Sequence, residues 1–189
     1  MKRLAPLVFA LSIAPSIAAC QGANKTGSGT ATTSEKRLEV QQPAWPPSSA
    51  IDHAALSALS SEAQSNVSRA TVPVLVPSDP ALLAVGVVMR EEFFYAFNAR
   101  TGGVTVTLHG RRLAQQHDEI QPIAGDRSMR GTQGLVTVNE GIESASWMEL
   151  GVSYALDVEC EARDDVRCAD DKYLLTVVEG LKYVGGAAK

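Results

Sequence analysis

Apolar and polar positions alternate through much of the second half of the chain. Val152, Tyr154, Leu156, Val158 and Cys160 interleave with Ser153, Ala155, Asp157 and Glu159, so one face of that strand belongs to a core and the other to water. The longer stretch "LVTVNEGIESASWMELGVSYALDVEC" carries turn signals at Asn139–Gly141 and Leu150–Gly151 and reads as three consecutive strands. Upstream, "EFFYAFNARTGGVTVTLHG" sets Phe93, Tyr95 and Phe97 on one face of a strand. After a glycine turn it sets Val104, Val106 and Leu108 on one face of the next, which predicts a hairpin. "TVPVLVPSDP" alternates Val72, Val74 and Val76, and its prolines confine it to a sheet margin. "ALLAVGVVMR" suits a short helix or a strand equally. The polar segment "AQQHDEIQPIAGDRSMRGTQG" reads as a loop.

Two segments follow a helical period instead. In "SSAIDHAALSALSSEAQSNVSR", Ile51, Ala55, Leu59 and Ala63 recur every fourth residue, with Ser48 or Ser49 placed to cap a first helix. In "ADDKYLLTVVEGLKYVGG", Tyr173, Val177, Leu181 and Val184 form a stripe that opens on acidic residues and stops at Gly185 and Gly186. The expected architecture is α+β: an antiparallel sheet of about five to seven strands with the N-terminal and C-terminal helices packed on one face, all within residues 51–189.

The first 50 residues do not share this patterning. Lys2 and Arg3 precede "LAPLVFALSIAPSIAA", an apolar run too short and too broken by Pro6 and Pro15 for a membrane-spanning helix, which needs about 20 apolar residues. Small residues then lead to Cys20 through Ile17, Ala18 and Ala19. This pattern resembles the lipobox of bacterial lipoproteins. The resemblance covers residues 1–20 and implies a signal peptide over 1–19 and a lipid-modified Cys20 that tethers the chain to a membrane. With Gln21 rather than aspartate next, it implies the outer membrane of the cell envelope, facing the periplasm. Residues 20–50 are then a lipid anchor and flexible tether, small and polar in "QGANKTGSGTATTSEKR" and proline-stiffened in "QQPAWPPSSA", with Trp45 resting on its own domain. Asn24 and Asn66 sit in N-x-S/T sequons by chance.

A formal net charge of -4 gives no electrostatic reason to expect nucleic acid or an anionic lipid surface as partner, and 5% aromatic residues weaken any case for a stacking platform. With Cys20 assigned to lipid, Cys160 and Cys168 are an even pair in an oxidising compartment and are expected to form a structural disulfide. No C-x-x-C and no neighbouring histidine supports a redox or metal-binding pair.

Catalytic chemistry has few carriers. There is no G-x-S-x-G elbow, no H-E-x-x-H and no phosphate loop. His53 falls on the first helix, His109 on the wet face of a strand and His117 in the loop; His109, His117, Asp118 and Glu119 form a ligand or metal site only if that loop folds back over the strand. The acidic residues Glu159, Glu161, Asp164, Asp165, Asp170 and Asp171 lack the glycine-centred ligand loop of a calcium site and read as a solvated corner. No cofactor is implied.

Trp147, Gly151, Tyr154 and Leu156, followed by an acidic stretch and a helix, resemble the closing strand pair and helix of extracytoplasmic sensor domains related to lipoprotein carriers and sigma-factor regulators. That resemblance implies a curved sheet able to hold an acyl chain or a peptide. Two classes of function follow. One is a non-catalytic membrane-anchored lipoprotein that binds an envelope protein or apolar ligand through its sheet. The other is an envelope hydrolase or metal-dependent enzyme using His109 and His117.

Overall fold

A computed structural model describes residues 37–116 and 123–187, with the side chains of residues 37, 38, 115 and 116 left aside. The expected signal peptide over residues 1–19, with Cys20, Asn24, His117, Asp118 and Glu119, lies outside the described residues. The protein is α+β and mostly antiparallel sheet. Seven strands make the main sheet: β3 (Val87–Arg90), β4 (Phe94–Thr101), β5 (Val104–Arg111), β10 (Val152–Cys160), β9 (Ile142–Glu149), β8 (Thr132–Asn139) and β7 (Arg127–Met129), in that spatial order. Two ribbons accompany it, β1 (Arg37–Val40) with β6 (Leu113–Gln116) and β11 (Lys182–Gly185) with β2 (Val74–Val76).

Four two-residue turns join the hairpins: Gly102-Gly103, Arg130-Gly131, Glu140-Gly141 and Leu150-Gly151. Both residues of every pair have positive φ. That is the twist-matched turn of tight hairpins, and glycine in its second position relieves the steric cost there. The β5–β10 pairing, Leu108 opposite Leu156, then joins the N-terminal strands to the C-terminal meander.

Helices and strands divide the chain differently from the periodicity in three places. The expected first helix is two, α1 (His53–Ala58) and α2 (Ser61–Val67), because Asp52 and Ser60 each accept an N-terminal amide and the chain is extended at Leu59 between them. Ile51 is not helical but bridges Tyr183. "ALLAVGVVMR" is both alternatives in turn: α3 (Pro80–Val85), opened by Asp79 and Pro80, runs into β3. The last helix, α4 (Lys172–Gly180), stops short of the predicted glycines; Leu181 leaves it extended, and Tyr183 and Val184 continue as β11. The α4 residues that are buried are Leu174 and Val178 rather than Tyr173 and Val177.

The segment expected as a loop carries β6 at its start and β7 near its end. Its polar composition suits both, since β6 belongs to a two-stranded ribbon and β7 is the margin of the main sheet. The later part of the expected tether is likewise seated on the domain. β1 pairs with β6, the Ala44 amide donates to the Leu150 carbonyl at 2.8 Å, and Trp45 packs against Gly186 and Val72.

Two buried tyrosines tie the sheet to the β2 ribbon. The Tyr95 hydroxyl accepts the Leu75 amide at 2.9 Å and donates to the Leu75 carbonyl at 3.0 Å; the Tyr154 hydroxyl donates to the Pro73 carbonyl at 2.8 Å. Burial pushes both phenols far above their ordinary pKa, so they remain neutral. Gly110 lies between the two rings, paired with Tyr95 on one side and Tyr154 on the other. Trp147 stacks on Tyr154 with ring centroids 5.5 Å apart.

Candidate functional site

Strand alternation leaves one set of main-sheet side chains accessible. On β5, Val104, Val106 and Leu108 are buried while His109 and Arg111 are exposed; on β10, Tyr154, Leu156 and Val158 are buried while Ser153 and Glu159 are exposed. The strand registers align the accessible residues in rows across the sheet, called here the outer face. One row reads Val87, Asn98, Thr107, Asp157, Ser144, Thr137. Its polar groups satisfy one another: Asn98 Nδ2 donates to Thr107 Oγ1 at 2.7 Å, and Ser144 Oγ donates to Asp157 Oδ1 at 2.6 Å. The next row reads Met89, Ala96, His109, Ala155, Ser146, Leu135. Its alanines and serine make a low track that Met89, 57% exposed, stands over at one end.

His109 is therefore on the wet face, as expected, but its register neighbours are Ala96 and Ala155, neither able to orient an imidazole or share a metal. Among the described residues no group of three histidine, cysteine, aspartate or glutamate side chains could hold a metal ion. His53 opens α1 and is exposed.

Cys160 and Cys168 form the expected disulfide, with an S–S distance of 2.01 Å. It joins the end of β10 to a 3-10 turn, Val166–Cys168, ahead of α4. The acidic corner around it is tied by cations: Glu161 to Arg100 at 2.7 Å, Asp165 to Arg167 at 2.6 Å, Asp170 to Lys172 at 2.5 Å and Asp171 to Arg127 at 3.0 Å. The Arg167 hydrogen bonds hold the Asp165 carboxyl down at about 2. Arg167 also donates to the Gly102 carbonyl, joining the corner to the β4–β5 turn. A polar cleft of about 610 Å³ opens beside the disulfide between Glu140, Glu159 and Arg163. Replacing both cysteines by serine is expected to cost about 2.5 kcal/mol on the chain-entropy account. Urea unfolding with and without reductant checks it: the wild type should lose that stability under reductant and the double variant nothing.

No family model, curated protein or solved structure matches the chain.

Periodicity did not single out a half-buried charge cluster at the other end of the sheet. Arg130, in the β7–β8 turn, donates to Glu149 at 2.7 Å and to the Leu181 carbonyl at 2.9 Å, and lies over the Tyr183 ring at 5.4 Å. The Trp147 indole donates to the same carboxylate at 3.1 Å. Burial alone pushes the Glu149 carboxyl up, but Arg130 first, then the Tyr183 hydroxyl and the Trp147 indole, outweigh it and hold the group below its ordinary range. Glu143, three positions along the same strand face from Glu149 and 4% exposed, has no partner for Oε2 among the described residues; burial, then the charges of Asp171 and Asp170, push its carboxyl up. Both were visible in principle, because Glu143, Ala145, Trp147 and Glu149 share one strand parity. A carboxylate on the apolar side of a strand calls for a partner.

Proposed function

We propose that this chain is a lipid-anchored protein of the bacterial envelope that engages a partner protein through the outer face of its sheet and carries out no chemistry there. The low track from Met89 to Leu135 carries this reading: it crosses six strands with Met89, His109 and Ser146 exposed along it, beside a row in which Asn98 bonds Thr107 and Ser144 bonds Asp157. Val87 and Met89, both exposed on β3, add apolar contact area at its margin. The reading takes the helices to lie against the opposite face. Contacts of α2 with β3, α3 with β4 and α4 with β9 and β10 support that, as does the alternation of burial.

The anchor follows from the lipobox pattern at Cys20, and Gln21 directs it to the outer membrane facing the periplasm. Among the described residues no helix is long and apolar enough to cross a membrane. The enzyme reading rests on His109 and His117, and the alanines beside His109 weaken it.

The test is complementation of a deletion strain. Met89→Glu with Ser146→Glu is expected to abolish complementation and crosslinking to the partner while leaving stability within about 0.5 kcal/mol, as surface changes do. His109→Ala with His117→Ala is expected to complement fully. Full function of the first pair, or loss of function with the second, would turn the reading towards the enzyme.

A further inference from the structure

We propose that the end of the sheet built from residues 91–94 and 111–113 rests on the phospholipid surface that holds the anchor, with Phe93 and Phe94 at headgroup level and Arg111 and Arg112 toward lipid phosphates. This deepens the anchored reading and rests on Cys20 being lipidated.

Three observations converge on that end. First, the chain enters the domain there: Val40 pairs with Leu113, and the Gln41 amide donates to the Arg112 carbonyl at 2.7 Å. Residues 21–36 can span at most roughly 55 Å between Cys20 and β1, so the domain stays near its membrane.

Second, apolar side chains are exposed there. The terminal row of the outer face reads Phe94, Arg111, Ser153, Met148, with Phe94 39% and Met148 52% exposed. Phe93, Phe94 and Leu113, together with Glu91, Glu92 and Arg111, line an open hollow of about 450 Å³. Aromatic rings beside arginines are the composition of a membrane interface.

Third, charge is separated along the strands. Arg90, Arg111 and Arg112 enter no ion pair among the described residues, and Arg112 lies over the Phe93 ring at 5.4 Å with its Nε unpartnered. Glu91 and Glu92 share this end, so apolar contact contributes more than charge. The opposite end, residues 159–172, carries six carboxylates against three cations of its own, with Arg100 and Arg127 paired into the same corner. The small acidic excess left there gives a surface bearing anionic lipid no attraction for that end.

The experiment uses the full chain, purified with its anchor and reconstituted into vesicles of phosphatidylethanolamine and phosphatidylglycerol with brominated acyl chains. Single variants Phe94→Trp, Met148→Trp and Val166→Trp, the last at the opposite end, are read against the wild-type tryptophan emission. Flotation with the vesicles is expected for all, with quenching of the added indole about threefold or more greater at positions 94 and 148 than at 166. Flotation with all three equally quenched overturns the docking alone. A chain that does not float overturns the anchor, and the docking with it.

Discussion

Gly110→Val is expected to unfold at a melting temperature about 6–12 °C below the wild type, from roughly 3 kcal/mol of overpacking. A Cβ at residue 110 would lie 2.3 Å from Cε1 of Tyr95 and 2.8 Å from Cε1 of Tyr154. Most side chains so approached would swing aside. These cannot, because each ring is held at its hydroxyl by backbone groups of Leu75 or Pro73, and Trp147 stacks on Tyr154. Relieving the clash would leave buried amide and carbonyl groups of the β2 segment without partners, at about 1–3 kcal/mol for each. Circular dichroism melts of wild type and variant decide the matter. A variant within about 0.5 kcal/mol of wild type would show that the rings move freely and that the pins contribute little.

Arg130→Met is expected to cost about 3 kcal/mol at neutral pH, since it leaves Glu149 charged and half-buried without its main partner. The pH dependence gives the signature. The Glu149 carboxyl is held below its ordinary value of 4.5, so its contribution is complete above that pH. It drains away as pH falls through the lower folded value. Without Arg130 the carboxyl loses the largest influence holding it down and moves up, while Tyr183 and Trp147 still act on it. The variant's stability therefore gains less than the wild type's as pH rises from about 3 to 7. The stability gap should be widest near pH 7 and narrow towards pH 3. A gap unchanged between those two pH values in urea titrations would mean that Arg130 acts through packing on Tyr183 instead of through the ion pair.

The strands of the main sheet were legible where one face is buried and the other wet, because a period of two then has no competitor. β5 and β10 carry that alternation in full, and their turns announce themselves through glycine; β9 departs from it, with Glu143 and Glu149 on its buried parity and Met148 on the exposed one. The helices were less so. Ser60 caps as well as Asp52 does, and nothing in a four-residue period says that the chain will use both and break at Leu59. Leu181 to Val184 fit a helical stripe and a strand alike; the choice went to β11 because β2 offers a partner from more than a hundred residues away in sequence. The cluster on Glu149 was hidden for a similar reason. Its cation comes from a turn nineteen residues earlier, and its roof from α4 and β11. The outer face was foreseen as wet, but the order of its rows depends on registers that no single strand contains.

The two margins of the main sheet bear on how such a protein avoids its own kind. At β3 the Asn66 amide donates to the Val88 carbonyl at 2.8 Å, and α2 lies along the strand. At the far side β7 is three residues long, and Arg127 within it is drawn to Asp171 ahead of α4. Blunted margins of this kind resist strand-to-strand templating between molecules. They also withhold the backbone as a means of recognition. On the reading proposed above, a partner of the main sheet would read side chains, in rows that can change by substitution without disturbing the ladder beneath them.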